Sequence, residues 1–92
     1  MNTYIIVYDL IKERGSADYT KLHNKIRSFE SWCKATESTW FVHTTMNAKE
    51  IFSILHPLLD SNDKLLITRA NADARWINLA PEVSDWLQNN LK

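Results

Sequence analysis

The sequence predicts an α+β fold, a ferredoxin-like βαββαβ sandwich with two helices on one face of a four-stranded antiparallel sheet and a C-terminal helix or tail. Three observations predict it. The hydrophobic patterns follow the order strand, helix, strand, strand, helix, strand and terminal helix. The 92 residues leave room for one core. With one glycine and two prolines, the chain shows no linker, so residues 1–92 are expected to form a single domain.

The first strand and first helix are predicted from two different periodicities. Residues 3–9, "TYIIVYD", are rich in β-branched and aromatic side chains and too short for a typical helix, which indicates a buried strand. A helix over roughly residues 18–32 follows, with Ser16 or Asp18 as its N-cap. Its apolar stripe has spacings of three, four, three and four and comprises Tyr19, Leu22, Ile26, Phe29 and Cys33.

The remaining elements are marked by turn and cap residues. "WCKATESTWFVHTT" is interpreted as a strand over 33–36, a turn near Glu37 and Ser38, and a strand over 39–45. A short helix begins after the N-cap Asn47 and ends at Pro57. A strand is predicted over 64–70 and a terminal helix over 81–92. The apolar faces of these two helices comprise Ala48, Ile51, Phe52 and Leu55, and Val83, Trp86, Leu87 and Leu91.

Three predicted strands are apolar on both faces, although two helices cover only one face of such a sheet. The runs are residues 4–8, 40–42 and 65–67. Because side chains alternate between faces, the second face is apolar too and needs a cover. A second copy of the chain, in a face-to-face homodimer, is one cover. The terminal segment with Trp76, Trp86 and Leu87 is the other, and the sequence leaves both open.

Composition narrows the class of protein. Eleven basic and eleven acidic residues give a formal net charge of zero, so a nucleic-acid site would have to be local. The single cysteine cannot form an internal disulfide, and the N-terminus lacks a secretory signal pattern. A cytoplasmic location is therefore expected. No apolar run approaches the length of a membrane span, so no membrane partner is expected.

Several segments together resemble a known family. "YIIVYDL", "ESTWFVHT" and "DSNDKLLITR", in that order over residues 3–70, are similar to the CRISPR-associated Cas-two superfamily and most similar to its stand-alone, SinR-like members. The resemblance implies a ferredoxin-like homodimer in which the acid that ends the first strand faces its symmetry mate, and in nuclease members this pair holds a divalent metal. The matching positions here are Asp9, preceded by Tyr8, and Ser38.

Two functions follow as expectations. In the first, the chain is a metal-dependent endoribonuclease or nuclease, in which paired Asp9 carboxylates bind Mg²⁺ and activate water while Lys12 or Arg14 engages the phosphate of RNA or DNA. In the second, it is a catalytically inactive dimeric binding or adaptor module, and Asp9 ends a strand and caps a turn. The neutral charge and the presence of only Lys12 and Arg14 after the acid favour the second.

Other polar residues have an ordinary structural interpretation. Asp60, Asn62 and Asp63 are expected in a helix-to-strand turn, since the Gly and closing Glu of a calcium loop are absent. Ser38 lacks the elbow of a nucleophilic serine and is expected in a turn. The remaining candidates are predicted to be structural or surface residues: three histidines without zinc spacing, Cys33, the cations Arg69 and Arg75, and the tryptophans Trp32, Trp40, Trp76 and Trp86.

Overall fold

The sheet and helices of the protein follow the predicted order. The computed structural model describes residues 1–11 and 19–92. Its elements are β1 (Asn2–Asp9), α1 (Thr20–Arg27), β2 (Ser31–Thr36), β3 (Thr39–Thr44), α2 (Ala48–Leu55), a 3-10 turn (His56–Leu58), β4 (Lys64–Ala70) and α3 (Pro81–Asn90). The strands form one sheet in the order β2-β3-β1-β4, and each neighbouring pair is antiparallel. This confirms the predicted α+β, ferredoxin-like fold.

The main core lies between the sheet and the helices α1 and α2. Even-numbered residues of β1 and β3 point to this side because successive strand residues face opposite ways. Ile6, Trp40 and Val42 are fully buried there. The helices contribute apolar residues spaced by four, namely Leu22 and Ile26 from α1 and Ile51 and Leu55 from α2. Burying each such side chain contributes about 1.5–3 kcal/mol, so this layer fixes the sandwich.

The first helix is shorter than predicted, and the boundary at residue 32 is wrong. α1 ends at Arg27, where the Ser28 N–H and hydroxyl both donate to the Lys25 carbonyl. From Ser31 onward the chain pairs with β3, with Cys33 opposite Phe41. The spacing that predicted Cys33 on the helix was coincidental, because long-range ladder bonds to β3 outweigh a helical pattern. The predicted caps Ser16 and Asp18 lie outside the described residues.

The second helix begins as predicted but presents a narrower apolar face. Asn47 Oδ1 accepts the Glu50 N–H at 2.8 Å, and Glu50 Oε1 accepts the Asn47 N–H at 3.0 Å. This reciprocal capping box satisfies two N–H groups at the start of the helix. Phe52, predicted on the buried face, is 42% exposed. It stacks on His56 instead, with ring centroids 4.9 Å apart.

The terminal helix covers part of the second sheet face. Its buried residues Val83 and Leu87, together with Leu91 just after the helix, form a second core with Cys33, and Phe41 and Trp86 pack at its margin. The Thr3 hydroxyl donates to the Asn90 carbonyl at 2.6 Å. That hydroxyl also lies 2.8 Å from His43 Nδ1. Because its own hydrogen is used in the bond to Asn90, the hydroxyl oxygen accepts a hydrogen bond from this nitrogen. The tail is therefore a genuine cover for the β2–β3 side of the sheet.

Candidate functional site

Asp9 is the last residue of β1 and is exposed. Its register partner on β4 is Lys64, so carboxylate and ammonium start from adjacent strand positions. Cross-strand partners have Cβ atoms about 4.5–5.5 Å apart. Odd-numbered residues of β1 face away from α1 and α2, which places Asp9 on the second face of the sheet. The carboxylate is thus open to solvent, with a cation as its in-register neighbour.

Beside Asp9 lies an apolar area that α3 does not cover. We call it the open strip and define it as Ile5 and Val7 of β1 with Leu66 and Thr68 of β4. Val7 is in register with Leu66, and Ile5 with Thr68. Leu66 is 59% exposed, and Ile5 and Val7 are half-buried. The open strip runs along β1 and β4 and ends at Asp9 and Lys64.

Asp63 belongs to a structural turn. Its Oδ1 accepts the Ile11 N–H at 2.8 Å and the Tyr19 hydroxyl at 2.9 Å, and its Oδ2 accepts the Asp60 N–H at 2.8 Å. The Asp63 N–H in turn donates to the Asp60 carbonyl at 3.1 Å. With both oxygens engaged by protein donors, this carboxylate serves the turn between α2 and β4, as the sequence predicts. Across residues 1–11 and 19–92, no three His, Cys, Asp or Glu side chains gather to hold a metal.

Tyr8 and Ser38, two predicted binding residues, meet at the turn between β2 and β3. The Tyr8 N–H donates to the Ser38 carbonyl at 3.1 Å. The Tyr8 ring is buried on the helix side of the sheet, opposite Asp9, and its hydroxyl donates to the Glu37 carbonyl at 3.3 Å. Burial raises the pKa of Tyr8, although a hydrogen bond from Trp40 acts against this shift. Lys12 and Arg14, the other two predicted binding residues, lie outside the described residues.

Sequence reasoning missed a group of aromatic and cationic side chains around Trp40. Its indole N–H donates to the Tyr8 hydroxyl at 2.8 Å. The His23 ring stacks on Trp40 at 6.1 Å between centroids, and Arg27 and Lys34 lie 5.4 and 5.5 Å from the same ring. Burial lowers the pKa of His23, and the charges of Lys34 and Arg27 lower it further. The spacing of four between His23 and Arg27 was the available signal, because it puts both on one face of α1.

The other candidates occupy structural positions. His43 contacts Thr3, and His56 stacks on Phe52. In the sequence, both histidines are at least 20 residues from His23. Burial raises the pKa of the Cys33 thiol to about 11, which leaves it protonated and unreactive at neutral pH. Arg69 donates to Asn2 Oδ1 at 2.7 Å, at the opposite end of β1 from Asp9. Trp76 and Trp86 donate their indole N–H groups to Ser84 and Ser31.

Comparison with known proteins adds no family to this description. No family model matches the chain, and no solved structure matches it. Among the described helices, none combines the length and apolar character that crossing a membrane requires. The candidate site thus rests on the geometry of the sheet alone. It consists of the Asp9–Lys64 end of the sheet and the open strip beside it.

Proposed function

We propose that this chain is a small binding or adaptor module that assembles with a second copy of itself through the open strip. The observation that carries the proposal is the partial cover given by α3, which leaves Leu66 59% exposed on a sheet face. Small domains bury a modest fraction of their surface, and association commonly supplies the remainder. An exposed apolar area on a sheet face more often marks an interface than open surface.

The charges beside the open strip make it complementary to itself. Consider a two-fold axis that runs along the strands, midway between β1 and β4. Each strand then faces the other strand of the second copy, so Val7 meets Leu66 and Asp9 meets Lys64. Both ion pairs form at once because the interface is symmetric. In this register the carboxylate is neutralised by an amino group and needs no metal.

Light scattering at micromolar concentration tests the assembly. A mass near twice 10.8 kDa is expected for the wild-type chain. Leu66→Asp should give a monomer, since it buries two unpaired charges in the interface. Ile77→Asp is the matched control, because Ile77 is 80% exposed and lies outside the open strip. A wild-type monomer, or a Leu66→Asp dimer as stable as the control, would remove the proposed interface.

A second candidate function is a magnesium-dependent ribonuclease. It is favoured by one observation: Asp9 is exposed at the end of β1, on the same face as the open strip. If the two-fold axis passes over β1 rather than between the strands, the two Asp9 carboxylates face each other. Hard oxygen ligands of this kind suit Mg²⁺, which would lower the pKa of a bound water and stabilise charge on a phosphate.

Charge variants separate the two registers. If Asp9 meets Lys64, then Asp9→Lys and Lys64→Asp each weaken the dimer, and the double variant restores it. If Asp9 meets Asp9, then Asp9→Ala strengthens the metal-free dimer by relieving repulsion and abolishes Mg²⁺-dependent cleavage of single-stranded RNA. Cleavage that persists in Asp9→Ala rules out this nuclease site. A fully restored charge-swap dimer without cleavage supports the adaptor.

A further inference from the structure

A groove between α1 and α2 is lined by cationic and apolar side chains that play no part in either proposed function. Its volume is about 600 Å³, and its lining includes Lys21, Asn24 and Lys25 from α1. The other side of its lining consists of Ser53 and Ile54 of α2 with Pro57 and Leu58 of the 3-10 turn. No acidic residue is among the described residues that line it. The groove therefore combines a cationic rim, Lys21 and Lys25, with an aliphatic side formed by Ile54, Pro57 and Leu58.

The donors of the rim come from one face of α1. Lys21 and Lys25 are four residues apart on α1, so their side chains leave the same face of the helix. Arg27 donates to Asn24 Oδ1 at 3.3 Å, which leaves the Asn24 amino group as its donor toward a ligand. The Ser28 hydroxyl donates a hydrogen bond to the Lys25 carbonyl. Two ammonium groups and one amide NH2 group thus belong to side chains that line the same groove.

A second cavity adjoins the groove. A smaller cavity of about 210 Å³ shares Lys25, Ser28 and Ile54 with it and adds the apolar side chains of Phe29 and Met46. Glu30 also lines the smaller cavity but not the main groove. A carboxylate repels an anion, so the charged end of a ligand belongs at Lys21 and Lys25 and its apolar end at Met46. The main groove has no aromatic ring in its described lining, which favours an alkyl chain over a flat ring system.

We propose that this groove binds a linear alkyl carboxylate of the fatty-acid type, with its head group at Lys21, Asn24 and Lys25 and its chain along Ile54 toward Met46. The local charge also favours an anionic ligand. Residues 19–36 contain four basic residues and one acidic residue, although the whole chain is neutral. The site is separate from the open strip, because it lies on the helix side of the sheet.

Isothermal titration calorimetry with dodecanoate, below the concentration at which it self-associates, tests the site. We expect binding to one site per chain, and at least roughly tenfold weaker binding of dodecyltrimethylammonium, which has the same chain and the opposite charge. Hexanoate should bind at least about tenfold more weakly than dodecanoate, because it buries fewer methylenes. Equal affinity for the two head groups, or no binding of dodecanoate, would overturn the proposal.

Variants locate the binding. Lys21→Glu/Lys25→Glu should weaken dodecanoate binding by about tenfold or more. Lys49→Glu/Lys92→Glu makes the same change in net charge at exposed lysines outside the groove and should stay within about twofold of wild type. Equal losses in both variants would show a general charge effect and refute the site. Flotation with anionic phospholipid vesicles is the final measurement. If the chain binds vesicles but not monomeric dodecanoate, the proposal is refuted and the cationic rim is assigned to contact with a membrane surface.

Discussion

The docking of α3 on the sheet rests on a small core, and Leu87→Ala tests it directly. Leu87 is 2% exposed and packs with Cys33, Val83 and Leu91. A buried Leu→Ala change costs about 2–5 kcal/mol, from the lost transfer free energy and the remaining cavity. Because this core lies at the margin of the domain and its wall is one terminal helix, the site can partly collapse. We therefore expect the lower part of that range, about 2–3 kcal/mol.

For a chain of this size, each kcal/mol lowers Tm by roughly 4–8 °C, so Leu87→Ala should melt about 8–24 °C below wild type. Circular dichroism at one fixed protein concentration measures this, since association would otherwise shift Tm. Gln88→Ala is the matched control, because Gln88 is the next residue on α3 and is exposed; its effect should stay within about 0.5 kcal/mol. If both variants melt together, α3 does not hold the sheet face and the second core described above is wrong.

Three further outcomes follow from the main core and its caps. Tyr8→Phe removes the acceptor of the buried Trp40 indole N–H and should cost about 1–3 kcal/mol in urea unfolding; an unchanged midpoint would refute that hydrogen bond. The lowered pKa of His23 means that the unfolded chain binds a proton first, so stability should be full above about pH 6.5 and fall as pH drops below it. His23→Gln should flatten that dependence between pH 7.5 and 5.5, and a slope equal to wild type would contradict it. Asn47→Ala breaks the capping box and should cost about 1 kcal/mol, whereas Ser53→Ala on the same helix should cost less; equal losses in thermal melts would argue against the cap.

Local signals predicted much of the fold because they act over a few residues. The cap at Asn47 and the strand over residues 64–70 appear where the sequence put them. The helix boundary at residue 32 was wrong because Cys33 continues the helical spacing from Phe29, while its partner Phe41 is set by ladder pairing; the strand predicted over 33–36 was right. The apolar character of both faces of residues 4–8 predicted a cover for the second sheet face. Only the packed position of α3 shows which part of that face the helix covers.

The site was less predictable, for a physical reason. Asp9 and Lys64 are far apart in the chain, and only the strand register makes them neighbours. The sequence treated Tyr8 and Asp9 as one motif, whereas alternation along β1 sends them to opposite faces. In the proposed dimer, the role of Asp9 depends on which group of the second copy stands opposite it. That choice is a property of a symmetric interface, which no single chain contains.

The hydrogen bonds of Asp63 bear on how this protein can be altered. One carboxylate accepts hydrogen bonds from Ile11, two residues after the first strand, and from Tyr19, just before the first helix. The two ends of the β1–α1 connection are thus anchored to the same side chain, whatever joins them. A substitution at Asp63 would therefore release both anchored groups at once, together with the Asp60 N–H.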